Sequence, residues 1–228
     1  MEVIESLRKD LMEGDSIKDR KLRELKDYYS LWAHQIKLPI SAAYLLLEGS
    51  EINPSEIKSE VFRIEEYVNS LLAYLQLDSS QTDYVFGEME LDEIVRSSIR
   101  RYASLFIRKG IKVDFKPSNK KIISDKKWLG FILNQILSNA LKYTEKGMIE
   151  IFWKEGSLYI RDSGIGIPYE DLPRIYQRGF TGVNGRGRNN STGIGLALCK
   201  QIGEELHIQI KIESVREGGT TVILTFRE

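Results

Sequence analysis

The chain has 228 residues, enough for one large domain or two small ones, with 42% apolar residues to fill a core and 29% charged residues to cover it. Lys+Arg and Asp+Glu both number 33, so no overall field draws it to nucleic acid or anionic lipid. No apolar run approaches the roughly 20 residues that cross a bilayer, the charged start is no secretory signal, and one cysteine, Cys199, excludes an internal disulfide and fits a reducing, cytoplasmic setting.

Residues 1–20 read as a charged helical connector with Leu7, Leu11 and Ile17 as its apolar positions. Residues 21–79 carry two amphipathic helices. In the first, Leu22, Leu25, Tyr29, Trp32, Ile36, Ile40, Ala43 and Leu47 recur in alternating steps of three and four, which marks one side facing a partner. His34 lies off that seam and is expected to stand in water, where an imidazole near neutral pH is largely unprotonated and offers a lone pair to an electrophile. Pro39, one turn on, removes a backbone donor and is expected to bend or loosen the helix. A lone histidine on such a helix is more often an ordinary surface residue. Gly49 stops the helix, Asn53-Pro54-Ser55 prepares the next, with Ser55 as N-cap, and Ile57, Val61, Ile64, Val68, Leu71 and Leu75 repeat the spacing. A two-helix hairpin buries little surface, whereas pairing with a second copy gives a shared four-helix core, so a homodimer is expected.

A polar joint at 80–83 precedes a different pattern over 84–228. Tyr84 to Glu90 reads as a strand, Leu91 to Arg108 as a helix, and Ile111 to Lys116 and Lys121 to Ser124 as strands. Asp125 caps a helix patterned by Leu129, Ile132, Leu133, Ile136, Leu137 and Ala140. Met148 to Trp153 and Leu158 to Asp162 form a hairpin around Glu155-Gly156; a polar stretch to Ser191 precedes a helix from about Thr192 to Leu206; strands His207 to Val215 and Thr220 to Phe226 close the chain. His207 is read as a structural residue within its strand, and Cys199 as a buried thiol. The fold class is α+β in two domains, a helical hairpin followed by an α/β sandwich with helices on one face of a mixed sheet.

Four motifs follow in order within that second domain. On the helix, Gln135, Asn139 and Lys142 share a face; Asn139 offers a hard neutral oxygen suited to Mg²⁺, and Lys142 can neutralise a phosphate. In Arg161-Asp162-Ser163-Gly164-Ile165-Gly166, the aspartate at a strand end can accept from an exocyclic amine, and Gly164 and Gly166 permit close backbone approach. Asp171 to Thr181 is a short apolar-anchored segment. Ser191-Thr192-Gly193-Ile194-Gly195-Leu196 is a glycine-rich helix entry whose free amides suit phosphate oxygens.

Together with Trp32-Ala33-His34-Gln35-Ile36-Lys37-Leu38-Pro39-Ile40, these motifs resemble the phospho-acceptor box and the N, G1, F and G2 boxes of sensor histidine kinases, over roughly residues 22 to 226. The catalytic domain of that family belongs with the Hsp90-type, gyrase-type and MutL-type ATPases. The resemblance implies ATP-dependent autophosphorylation of His34 and transfer to a response-regulator aspartate in two-component signalling. It implies that Asp162 contacts adenine, Asn139 holds Mg²⁺ with Gln135 as a second metal-site residue, Lys142 and the Gly193-Gly195 turn meet phosphates, and Tyr143 flanks the nucleotide. Thr192 and Leu196 complete the fourth box, and Val183 to Asn190 forms a mobile lid. The Trp-Ala-His-Gln-Ile-Lys version also resembles the membrane sensors with very short extracellular parts that are linked to antimicrobial-peptide transporters in Gram-positive bacteria, which implies an upstream membrane sensor segment or transporter partner.

Three positions depart from the family pattern. Gln135 stands where a second asparagine is common. Gln35 follows the phospho-acceptor where Glu or Asp is usual; glutamine can orient an imidazole but cannot accept a proton. Leu38 replaces the small polar residue implicated in dephosphorylation, so phosphatase activity is expected to be weak or to use Gln35. The competing readings are a non-kinase ATPase of the same superfamily and a catalytically silent dimeric signalling scaffold.

Overall fold

A computed structural model of the chain describes residues 29–49, 52–78, 83–182 and 193–226. The expected connector at 1–20, Leu22 and Leu25 of the seam, most of the joint, the expected lid Val183 to Asn190 and Thr192 lie outside the described residues. Contacts divide the chain into two units, Met1–Leu72 and Ala73–Glu228, with the dividing line inside the second helix.

In the first unit, α1 covers residues 29–48 and continues through Pro39, which is buried. Trp32 is buried as expected, but the buried positions beside it are Gln35 and Pro39, while Tyr29, Ile40 and Leu47 are exposed. His34 is exposed. Helix α2 (Pro54–Asp78) is capped by Asn53 rather than Ser55: Asn53 Oδ1 accepts from the Ser55 amide at 3.1 Å, and its Nδ2 donates to Glu56. Pro54 then occupies the first helical position, where no amide is needed.

In the second unit, β1 (Phe86–Glu90) and β3 (Lys121–Asp125) pair antiparallel as a two-stranded ribbon. The other strands, β2 (Lys112–Phe115), β4 (Met148–Lys154), β5 (Ser157–Asp162), β6 (Ile208–Val215) and β7 (Gly219–Phe226), form a sheet in the order β2-β4-β5-β7-β6. Strand β2 runs parallel to β4 and the remaining pairs are antiparallel. The β4–β5 turn places Glu155 and Gly156 at φ of 48° and 76°, the two positive values that a tight two-residue hairpin requires. The expected helix over 91–108 is two, α3 (Leu91–Arg101) and α4 (Ala103–Lys109), interrupted at the buried Tyr102.

Ile149, Ile151, Leu158, Ile160, Val222 and Leu224 alternate to one buried face of the sheet. Helix α5 (Lys126–Tyr143) and α6 (Gly195–Glu205) pack with α3 as a layer, and α5 contributes Trp128, Leu129, Ile132, Leu133, Ile136, Leu137, Ala140 and Leu141 to the core. At about 1.5–3 kcal/mol for each large side chain, this helix is the main apolar anchor of the unit. Asp125 caps it as expected, its Oδ1 accepting from the Trp128 amide at 3.0 Å. Cys199 is buried, and burial pushes its thiol pKa up. His207 is not within a strand: it sits exposed in the turn between α6 and β6 at φ 56°.

Candidate functional site

Helix α5 holds both ends of the site. Gln135 and Tyr143 are eight residues apart, roughly 12 Å along the axis, and Asn139 and Lys142 lie between them. At the C-terminal end, the turn after β5 closes against the helix: the Ile165 amide donates to the Tyr143 carbonyl at 3.2 Å. Gly164 is locked there, because a Cβ on it would stand 2.5 Å from the Tyr143 carbonyl oxygen, 2.7 Å from Asp162 Oδ1 and 2.9 Å from Thr144 Oγ1. At the other end, a Cβ on Gly195 would overlap the Gln135 amide, so the start of α6 lies directly on α5.

Asp162 is only 8% exposed. Its Oδ1 accepts from the Gly164 amide at 2.8 Å and the Thr220 amide at 3.3 Å, tying the turn to the adjacent strand β7. Its Oδ2 has no partner among the described residues and remains available as an acceptor. Burial pushes the Asp162 carboxyl above the usual carboxylate range, and the Gly164 and Thr220 donors oppose that shift. Thr144 Oγ1, beside the same turn, is buried with no hydrogen-bond partner among the described residues. Gly164 is thus required by the close approach of the turn to α5, Thr144 Oγ1 lies buried beneath it, and Asp162 Oδ2 is the acceptor that the turn leaves for an amine.

The glycines divide by role. Gly193, at φ 66°, is held against the Asp171 to Thr181 segment: the Gly179 amide donates to its carbonyl at 3.0 Å, and a Cβ there would meet the Phe180 carbonyl oxygen at 2.5 Å. The third and fourth motifs therefore touch. Gly166, at φ 68°, faces away from α5, and a Cβ on it would overlap the Val215 carbonyl. The Glu217 amide donates to Ile165 and the Ile167 amide to Ser214 Oγ, so this part of the second motif is occupied in joining the β6–β7 turn. Leu196 is half-buried in the first turn of α6, whose regular start is Gly195.

Asn139 is half-buried on the face between the two glycine contacts, and Lys142 Nζ lies 5.5 Å from the Tyr143 ring centroid. No group of three or more His, Cys, Asp or Glu side chains suited to a metal stands together among the described residues. A magnesium ion here would depend on amide oxygens completed by phosphate and water, the shell that ion favours. The displaced Asn134 is held apart from this face, its Oδ1 buried without a partner among the described residues.

On the hairpin, the structure gives Gln35 a different partner from the imidazole. Its side chain is buried, and its Oε1 accepts from Tyr67 Oη of α2 at 3.2 Å, while His34 points to solvent. Burial pushes the Tyr67 phenol up, with Arg63 opposing. Gln35→Glu should therefore supply no base to His34. A carboxylate at that position would be raised in pKa by burial, so its destabilising effect is absent at low pH and appears as pH rises through the folded value. Thermal unfolding should show a loss on the order of 1–3 kcal/mol at pH 8 that shrinks at pH 5. A loss of the same size at both pH values would mean that the side chain is not held in the buried contact with Tyr67. Thr144, Thr220 and Tyr67 were missed in the sequence because each acts through a partner distant in the chain or through backbone alone.

The family described as Histidine kinase-, DNA gyrase B-, and HSP90-like ATPase matches residues 124–228. The chain is 35% identical over 211 residues to Sensor protein BceS of Bacillus subtilis (strain 168), covering 90% of this chain and 63% of that protein. It thus spans less than two thirds of that relative's length. A solved structure of the Acinetobacter baumannii histidine kinase AdeS has a TM-score of 0.60 at 18% identity, with 86% of this chain and 98% of that one covered. Histidine kinase ThkA, solved in complex with response regulator protein TrrA, has a TM-score of 0.58 at 21% identity, covering 84% and 58%. The two structural likenesses bear on the fold.

Proposed function

We propose that this chain, whose residues 124–228 match the histidine kinase-, DNA gyrase B-, and HSP90-like ATPase family and which is similar to sensor histidine kinases, phosphorylates its own His34 from ATP and passes the phosphoryl group to an aspartate of a response regulator. The observation that carries the reading is the seating of Asp162–Gly164 and Gly195 at opposite ends of one helix face bearing Gln135, Asn139 and Lys142. In this reading Asp162 accepts from the adenine amine, Tyr143 and Gly164 bound the base, and Lys142 with Gly193, Gly195, Leu196 and Thr192 serves the phosphates. Asn139, with Gln135 beside it, supplies the oxygen for magnesium, which spreads phosphate charge when bound.

A ring nitrogen of His34 forms the new N–P bond in line as the bond from the γ-phosphorus to its bridging oxygen breaks, ADP departs with that electron pair, and the proton on the other ring nitrogen passes to solvent, to which the exposed ring is open. Alignment and charge neutralisation supply most of the acceleration in such a transfer, so the chain's own task is to present the imidazole unobstructed. We take residues 1–20 as connector, 21–79 as the phosphotransfer hairpin, 80–83 as the hinge and 84–228 as the catalytic domain. Incubation with γ-labelled ATP and Mg²⁺ should give acid-labile, base-stable label on the chain that chases to a response regulator. Absence of label from protein that binds the nucleotide would overturn the reading.

The hairpin leaves Ile40, Tyr44, Leu45 and Leu47 of α1 and Val61, Val68 and Leu72 of α2 exposed, apolar surface suited to a second copy. Light scattering should give twice the chain mass, and Tyr44→Asp with Leu45→Asp should shift it to the monomer. A chain that stays monomeric at high concentration would remove the homodimer from the proposal.

A further inference from the structure

We propose that Lys109 is a positioning residue for the adenine end of the nucleotide site, acting from α4 through the last turn of α5; the inference rests on the nucleotide-binding reading above. A helix leaves its last carbonyls without intrahelical donors, and at the end of α5 several of them find donors. The Thr144 amide takes Ala140, the Ile165 amide takes Tyr143, and Lys109 Nζ donates to both the Leu141 and Thr144 carbonyls. The two contacts span Tyr143, one at Leu141 two residues before it and one at Thr144 directly after it, so one ammonium ties down the turn whose Tyr143 carbonyl receives the Asp162–Gly164 turn.

The chain of contacts from Lys109 to the base-binding carboxylate is short. Thr144 is fully buried, its Oγ1 lies against the position of a Gly164 Cβ, and the Gly164 amide donates to Asp162 Oδ1. A cation at a helix C-terminus is favoured by the carbonyl dipoles, and here it is partly buried, so its removal would leave two acceptors without a donor in a place water reaches poorly. Burial pushes the Lys109 ammonium pKa down and the Glu145 carboxylate opposes that shift. Freed from Lys109, the 141–144 turn no longer holds a fixed distance to Asp162, and the acceptor and the glycine cradle lose register with each other.

The test uses the full chain and calorimetric titration with ATP and ADP. Wild type must bind both; if it binds neither, the nucleotide reading itself has failed and the inference falls with it. In Lys109→Met, dissociation constants for ATP and ADP should rise by the same factor, on the order of tenfold, because both ligands share the adenine end. Lys109→Arg, which keeps a cation with several donors, should bind within a few-fold of wild type. Asp92→Ala serves as the control for a purely structural role. Asp92 accepts from the Ser118 and Asn119 amides and from Ser118 Oγ in the turn before β3, so its loss should lower the unfolding temperature and leave nucleotide affinity unchanged. Should Lys109→Met fail to fold, Lys109→Gln at a temperature where its spectrum matches wild type is read in the same way. Affinity in the Met or Gln variant equal to wild type, Arg as weak as Met, or Asp92→Ala weakening binding as much as Lys109→Met would each overturn the proposal.

Discussion

His34→Ala should abolish acid-labile phosphate on the chain, a fall on the order of a thousandfold or more, while nucleotide binding and the helical content of the hairpin stay as in wild type. The size follows from what is removed: the imidazole is the only group asked to form the new bond, and nothing replaces its lone pair. The neutrality elsewhere follows from where it stands. His34 is exposed on a helix that runs unbroken over 29–48, and alanine is the best helix former, so the substitution creates no cavity and interrupts no hydrogen bond described for that helix. Labelling with γ-labelled ATP, followed by acid and base stability of the product, checks it. Persistence of acid-labile label in His34→Ala would place the acceptor elsewhere; nucleotide hydrolysis by wild type without any label would favour the non-kinase ATPase; and a wild type that binds no nucleotide would favour the silent scaffold.

Asp162→Asn separates binding from folding with comparable force. Asparagine keeps an oxygen that can accept from the Gly164 and Thr220 amides, so the turn and β7 remain joined, but it presents an amide donor where Oδ2 stood. A donor facing the adenine amine is expected to weaken ATP and ADP binding roughly a hundredfold. Stability should move the other way. The folded carboxyl pKa is raised, chiefly by burial, so Asp162 costs least below its unfolded value and progressively more as pH rises through the folded value. The unfolding temperature of Asp162→Asn should therefore match wild type in acid and equal or exceed it at neutral pH. Nucleotide affinity of wild type carries the opposite sign: it should fall as acidification protonates the carboxylate, beginning at higher pH than an ordinary aspartate would dictate. A variant that binds normally, or one that binds poorly only because it has unfolded, would remove Asp162 from the adenine contact.

Element order and motif placement were legible because they rest on short-range regularities. The period of α5, the Asp125 cap, the Glu155-Gly156 turn and the glycine entry to α6 each depend on residues within a few positions of one another. The boundaries that moved did so where two local choices were close in energy: Asn53 displaced Ser55 as cap because Pro54 suits the first helical position, and the expected 91–108 helix broke at Tyr102, which is drawn into the core.

By itself, then, the sequence determined which stretches become helix or strand, that a histidine would be exposed ahead of a proline, and that an aspartate and two glycine turns would follow in a fixed order. Only the tertiary structure decided that Gln35 turns inward to Tyr67, that Gly166 is engaged by Val215 while Gly164 and Gly195 meet α5, and that Lys109 secures the end of that helix. The reason is sequence separation: these pairs lie some twenty or more residues apart, and which of several equally polar or equally small side chains meets another is fixed by how whole elements pack, a choice that no local period or propensity encodes.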